Sequence, residues 1–211
     1  MTHSVIIESP QLRTLPPFGP FEMTTGLTFS RTIRSRRIGP VGRVSRYSVA
    51  SRVMSGDFRA DRIGSALRGE NPTVMRRLDA GFAVIGDVQF LPGYSVLLAD
   101  DPQAQRLSDL PRGKRLTYLA DMDRLGEAVE RVCTRLDPAF RRVNLEILGN
   151  TDSFLHAHVW PRFEWEPEHL VHNPVWLYPS EHWSDPRRAL TSQHEGLRQA
   201  IGEELDRLAS V

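Results

Sequence analysis

The sequence predicts an α+β fold: a mostly antiparallel sheet of about five strands, one long helix between strands 3 and 4, and a C-terminal helix. Three observations predict it. Short apolar runs separated by turn residues crowd into residues 73–99. One apolar stripe of helical period runs from Tyr118 to Leu136. Two alternating runs, 141–150 and 154–163, then follow around a polar turn.

The elements can be justified in order. "FRADRIGSALRGENP", starting at Phe58, reads as a short helix ending near Gly69 and stopped by Pro72. "TVMRRLD" and "GFAVIGD" read as strands joined through Asp79-Ala80-Gly81. In "FLPGYSVLLAD" the Pro92-Gly93 turn leads into an apolar strand over 94–99. Strands so close in sequence pair antiparallel. Tyr118, Met122, Leu125, Val129, Val132 and Leu136 step by fours and threes along one helix face, and Pro138 lies just past the end. Cys133 falls inside this helix as a small packing residue.

"RRVNLEILGN" places Val143, Leu145 and Ile147 on one strand face, which leaves Asn144 on the other. "NTDS" turns the chain. In "FLHAHVWPRF" Leu155, Ala157 and Val159 share one face, while Phe154, His156, His158 and Trp160 share the other. Residues 164–185 look irregular. The last helix is expected to begin near "SDP", with Ser184 or Asp185 as cap and Pro186 in its first turn. Its stripe would be Leu190, His194, Leu197, Ile201, Leu205 and Leu208, making His194 a hydrogen-bonded core residue.

A chain of 211 residues can bury one good core. No run of about 18 apolar residues occurs, so no membrane span is expected. Cys133 is the only cysteine, which excludes an internal disulfide and a cysteine-based zinc site and fits a cytoplasmic protein. The net charge of +1 hides an asymmetry: residues 1–53 hold eight arginines against Glu8 and Glu22. The remainder is mildly acidic, which argues against a nucleic-acid-binding body. Residues 30–52 carry seven arginines and no acid. With so little apolar surface to offset chain entropy, 1–53 reads as a disordered Arg/Ser-rich leader. A targeting segment and a nucleic-acid tail are the alternatives. The folded domain is then 54–211, with a C-terminal helical extension.

Histidines at i and i+2 on a strand present both imidazoles to one side, about 7 Å apart along the chain. Solvent-side residues, a metal clamp and a nucleophilic site all suit that placement. A metal needs further ligands. His169, His172, His182, Glu164 and Glu166 are available, but their spacings match no common zinc signature. A cupin-like spacing also fails: six residues separate Gly149 from His156, and five separate His158 from Glu164.

"GNTDSFLHAHVWPRF" resembles the signature of the histidine-triad (HIT) family of nucleotide hydrolases and transferases. That pattern is H-Φ-H-Φ-H-Φ-Φ, Φ being apolar, preceded by Gly-Gln-Ser/Thr and often followed by Pro-Arg. His156 falls on the middle histidine and His158 on the last; Gly149-Asn150-Thr151 and Pro161-Arg162 fall on the flanks. "FAVIGDVQFLPGYSVLLA" resembles the family's strand, Pro-Gly turn and strand, and the resemblance covers about 58–163. One position departs: Phe154 stands where the first histidine belongs.

The resemblance implies attack by His156 on the α-phosphorus of a nucleotide, a nucleotidyl-histidine intermediate, and release by water. Diadenosine tetraphosphate is one such substrate. It implies that His158, Asn150, Thr151, Asn144 and Arg162 serve the phosphate, and that Phe82, Val84 and Phe90 form the base slot. No cofactor is required, although Mg2+ could accompany a polyphosphate substrate. A homodimer through the long helix and a neighbouring strand is the expected assembly. Phe154 leaves a catalytically inactive nucleotide-binding protein as the alternative, and the H-x-H pair leaves a metal-binding protein.

Overall fold

A computed structural model describes residues 57–210; the proposed leader lies outside them. Five strands form one sheet: β1 (Val74–Arg77), β2 (Gly81–Ile85), β3 (Ser95–Ala99), β4 (Phe140–Glu146) and β5 (His156–Phe163). Their order across the sheet is β1-β2-β3-β5-β4, and every neighbouring pair is antiparallel. The helix before the sheet is α1 (Arg62–Leu67), ended by Gly69 at φ 73°. Asp61 caps it, its Oδ1 accepting from the Gly64 amide at 3.0 Å. The Pro92-Gly93 turn needs its glycine twice over. Gly93 has φ 96°, and a Cβ there would sit 2.8 Å from the Cys133 sulfur.

The long helix, α2 (Arg112–Leu136), covers one face of the sheet. Tyr118, Leu125, Val129 and Val132 are fully buried, as the stripe requires, and the Tyr118 hydroxyl donates to the Leu97 carbonyl at 3.0 Å. Leu136 departs from the expected stripe: as the helix's last residue it is 63% exposed. Gly126 lets β4 come close, since a Cβ there would meet Leu145 at 3.1 Å.

After β5 the chain is not simply irregular. Single turns form at α3 (Glu168–Val171), Val175–Leu177 and α4 (Glu181–Ser184). A buried carboxylate organises this segment. Glu166 accepts from Arg162 Nε at 3.0 Å, from the Phe163 amide at 2.7 Å and from the Tyr178 hydroxyl. The segment then runs back along the β2–β3 connection. The Gln89 amide donates to the Arg188 carbonyl at 2.7 Å, and the Leu190 amide to the Asp87 carbonyl at 2.8 Å.

That pairing overturns the expected start of the last helix. Pro186 opens only a short turn, Pro186–Arg188, capped by Asp185. Ala189 then pairs with Val88 in extended conformation, which no helix could do. The helix proper, α5 (Glu195–Leu208), starts after Thr191 and His194 cap one another. His194 is therefore a capping residue, its Nδ1 accepting from the Thr191 amide at 3.0 Å, and not a core residue. Ile201 and Leu205 bury α5 against α2 and β1.

Candidate active site

Register decides what faces the open side of the sheet. Val84 lies opposite Val96, Val96 opposite His158, and His158 opposite Glu146. The next row holds Phe82, Leu98 and His156. Partners in a row share a face, so both histidines point away from α2, above a strip of valine and leucine. His156 is 6% exposed and His158 partly open. Their ring centroids are 4.8 Å apart and the rings are nearly perpendicular.

Each histidine is held by a different kind of partner, and this fixes where its proton sits. His156 Nδ1 lies 2.8 Å from the Phe154 carbonyl oxygen. A carbonyl only accepts, so Nδ1 carries the proton and Nε2 keeps a free lone pair. His158 Nδ1 lies 2.8 Å from the Tyr94 hydroxyl. Burial pushes the Tyr94 phenol far above its ordinary pKa, so it keeps its proton. Among the described residues that hydroxyl has no other acceptor for its proton, and its donation to Nδ1 assigns the His158 proton to Nε2. These contacts assign the two imidazoles to opposite tautomers, in which His156 presents a nucleophilic nitrogen and His158 a neutral N–H donor.

His158 also stays neutral. Burial, and then the neighbouring His156, lower its pKa to about 4. Its ring stacks on Trp160 at 5.2 Å, and Trp160 stacks on Tyr94 at 3.7 Å. This aromatic pile leaves the imidazole little room to rotate.

Two cavities meet at the histidines. One, of about 230 Å³, is lined by Val84, Val96 and Leu98 on the sheet side and by Arg62 and Asp87 at its edge. The other, of about 420 Å³, is lined by Asn150, Thr151, Leu148, Trp160 and Trp176. His156, His158, Asp152 and Trp183 border both. A slot floored by apolar side chains beside a nucleophilic imidazole, with the Thr151 hydroxyl and Asn150 amide in the adjoining cavity, suits a base on one side of a phosphorus centre and a leaving group on the other.

Comparison with solved structures agrees on the architecture. A histidine triad protein from Marinobacter aquaeolei VT8 superposes with a TM-score of 0.52 at 17% identity, over 64% of this chain and 89% of that one. For a histidine triad (HIT) protein from Sinorhizobium meliloti 1021 the TM-score is 0.53 at 16% identity, over 70% and 94%. A hypothetical histidine triad nucleotide-binding protein from Sulfolobus tokodaii strain7 gives 0.51 at 14%, over 70% and 93%. The chain has the histidine-triad fold. Neither a protein-family profile nor a curated protein matches the sequence.

Within the histidine-triad fold, the expected site residues divide between the cleft and positions outside it. His156, His158, Asn150, Thr151 and Val84 come together at the cleft. Phe154, at the first histidine position, borders it too, its ring 4.9 Å from that of His156 and its carbonyl on Nδ1. The backbone thus orients the nucleophile whatever side chain stands there.

Four expected residues lie elsewhere. Phe82 shares the histidine face but sits beneath the Arg77 guanidinium, 4.9 Å from its ring centroid, and does not line the slot. Phe90 packs edge-on against Trp183 and His182, outside both cavities. Asn144 faces the correct side, but it stands opposite Trp160, and its cleft is a separate one shared with Arg142 and His172. Arg162 is consumed by structure. Only 4% exposed, it donates through Nε to Glu166 and through Nη2 to the Val171 carbonyl and the Tyr178 hydroxyl.

Other site residues were not anticipated, Tyr94, Asp87 and Trp183 among them. Tyr94 follows the Pro-Gly turn and reaches the site through its stack on Trp160, which no short-range pattern signals. Asp87 anchors Arg62 and Arg59 through Oδ2 at 2.5 and 3.2 Å, while its buried Oδ1 has no partner among the described residues. Trp183 comes from the segment read as irregular. Among the described residues, no three His, Cys, Asp or Glu side chains gather as metal ligands.

Proposed function

We propose that the protein is a nucleotidyl hydrolase or transferase that cleaves at an α-phosphate through His156. The observation that carries this reading is the pair of Nδ1 contacts, His156 on the Phe154 carbonyl and His158 on the Tyr94 hydroxyl, which assigns a free Nε2 lone pair to His156 beside a neutral Nε2–H on His158. In the first displacement His156 Nε2 bonds to phosphorus. The bond to the leaving group breaks, and its electron pair departs with that group. His158 Nε2–H, the Thr151 hydroxyl and the Asn150 amide stabilise charge on the non-bridging oxygens. In the second displacement a water oxygen bonds to phosphorus and the P–N bond breaks. The mononucleotide is released and the neutral imidazole is restored, the water's surplus proton passing to solvent.

Base and ribose occupy the slot over Val84, Val96 and Leu98, where Asp87 Oδ1, without a partner among the described residues, can accept from a sugar hydroxyl. The chemistry draws on no resident metal, and Mg2+ would enter only as an escort of a polyphosphate. The homodimer belongs to the same proposal. β4 is an edge strand and its Leu145 is 39% exposed, so light scattering should return about twice the 24.0 kDa chain mass.

The test is turnover of adenosine 5′-phosphate conjugates with and without chelator. Cleavage that survives chelator and is lost in His156→Ala supports the reading. The presence of Phe154 favours one second reading, a nucleotide-binding protein without turnover. Saturable nucleotide binding with no product would select it. Stoichiometric co-purified zinc or iron lost in His156→Ala would overturn both.

A further inference from the structure

Away from the two active-site cavities, a further cavity of about 340 Å³ lies where α4 and the Pro186–Arg188 turn fold back over Phe90. It shares no lining residue with either of them. Two polar atoms of its lining residues are buried without a hydrogen-bond partner among the described residues: His182 Nδ1 and Arg188 Nη1. The nearest carboxylate to Arg188 is that of Asp185, 3.8 Å from Nε, and Arg187 already holds it at 2.7 Å. A buried guanidinium nitrogen and a buried imidazole nitrogen, both unpaired, point to a ligand that supplies acceptors.

The rest of the wall narrows the chemistry. Glu166 is not the missing partner, because Arg162, the Phe163 amide and the Tyr178 hydroxyl take up its oxygens. Burial, and then Arg188, lower the His182 pKa, so the imidazole is neutral and can carry its proton on Nδ1. One guanidinium and one neutral N–H match the single charge and two oxygens of a carboxylate. A phosphate dianion would bring its second charge against Glu166, and a cation would meet Arg188. The apolar part of the wall is aromatic. Phe90 and Tyr178 stand edge-on to the His182 ring at 5.3 and 5.5 Å, and Trp165 lines the same cavity.

We infer that this cavity is a second ligand site, which binds a planar aromatic monocarboxylate with its carboxylate between Arg188 Nη1 and His182 Nδ1. The ring lies among Phe90, Tyr178 and Trp165, where its apolar faces leave water. The site stands apart from the chemistry at His156 and does not depend on the hydrolase reading. Its occupant touches His182, the chain neighbour of Trp183, and Trp183 borders both active-site cavities.

Calorimetry on the full chain compares naphthoate, naphthylmethanol, acetate and inorganic phosphate. The alcohol keeps the ring without the charge, and acetate keeps the charge without the ring. Naphthoate is expected to bind at least about tenfold more tightly than each of the other three, as one charged hydrogen bond or one buried aromatic ring allows. Arg188→Gln should weaken naphthoate at least about tenfold, with the urea midpoint kept because the Arg188 side chain makes no hydrogen bond among the described residues. His182→Phe, which keeps an edge-on ring beside Phe90, should weaken it as well. Excess adenosine 5′-monophosphate should not displace it. No binding of naphthoate at millimolar concentration overturns the inference, as does equal or tighter binding of the alcohol, acetate or phosphate. Affinity unchanged in either variant, or displacement by the mononucleotide, overturns it too.

Discussion

Replacing Tyr94 by Phe removes one oxygen atom and leaves the aromatic pile standing. The lost contact is the 2.8 Å bond from the hydroxyl to His158 Nδ1. Because the stack on Trp160 at 3.7 Å involves only the ring, His158 should stay where it is. Its Nδ1 then has no partner, at a cost of about 1–3 kcal/mol. The imidazole can recover part of that cost by changing tautomer or admitting water. Either outcome withdraws the Nε2–H from the developing charge on phosphorus. Loss of one aimed donor costs up to about 3–4 kcal/mol of barrier, and partial loss through disorder of its tautomer costs less. Tyr94→Phe should therefore lower kcat by about 10- to 100-fold with KM nearly unchanged. Nitrogen chemical shifts of the labelled imidazoles report the cause. In the unmodified protein His156 should be protonated on Nδ1 and His158 on Nε2, and only His158 should change in the variant. A variant with kcat within twofold of the parent, or a parent His158 protonated on Nδ1, would refute the reasoning.

Further outcomes follow from the same contacts. His158 should titrate near pH 4, so the neutral donor should persist through mildly acid conditions. A folded pKa below the unfolded value of about 6.5 means that the unfolded chain binds more protons between the two. The stability contribution is therefore full above about pH 6.5 and lost as pH falls toward 4. It amounts to about 3 kcal/mol at most and less with screening at the open side of the ring; urea unfolding at pH 7 and 4.5, repeated on His158→Phe, measures it. Glu166→Ala should strand the buried Arg162 guanidinium and destabilise the domain by about 3–5 kcal/mol in urea unfolding. Removing Arg162 itself should appear in stability more than in KM, because its donors are spent on Glu166, Val171 and Tyr178.

The parts legible in the sequence were those set by short-range pattern. Alternation in β5 put His156 and His158 on one face, and the 3.6-residue stripe found α2. The Pro92-Gly93 and Asp79-Ala80-Gly81 turns ordered the strands. What stayed hidden depends on register and on long-range capture. Tyr94 becomes a site residue only because it stacks on Trp160 and reaches His158. Arg162 looks like a phosphate ligand beside Pro161 until Glu166, four residues on, closes over it. The start of α5 was misplaced for a similar reason. Pro186 opens a turn as its position suggests, but pairing of Ala189 with Val88 postpones the helix to Glu195. Trp176 and Trp183 lay in a stretch with no periodicity, and only folding back along 87–90 brings Trp183 beside Phe90 and the histidines.

The central claim is that His156 Nε2, and not water, makes the first bond to phosphorus. Stereochemistry at phosphorus tests it most directly. An adenosine thiophosphoramidate of single configuration, hydrolysed by the full chain in oxygen-18 water, passes through two in-line displacements if His156 is the nucleophile. The account predicts a product with retained configuration. Inversion would mean a single attack by water and would contradict it.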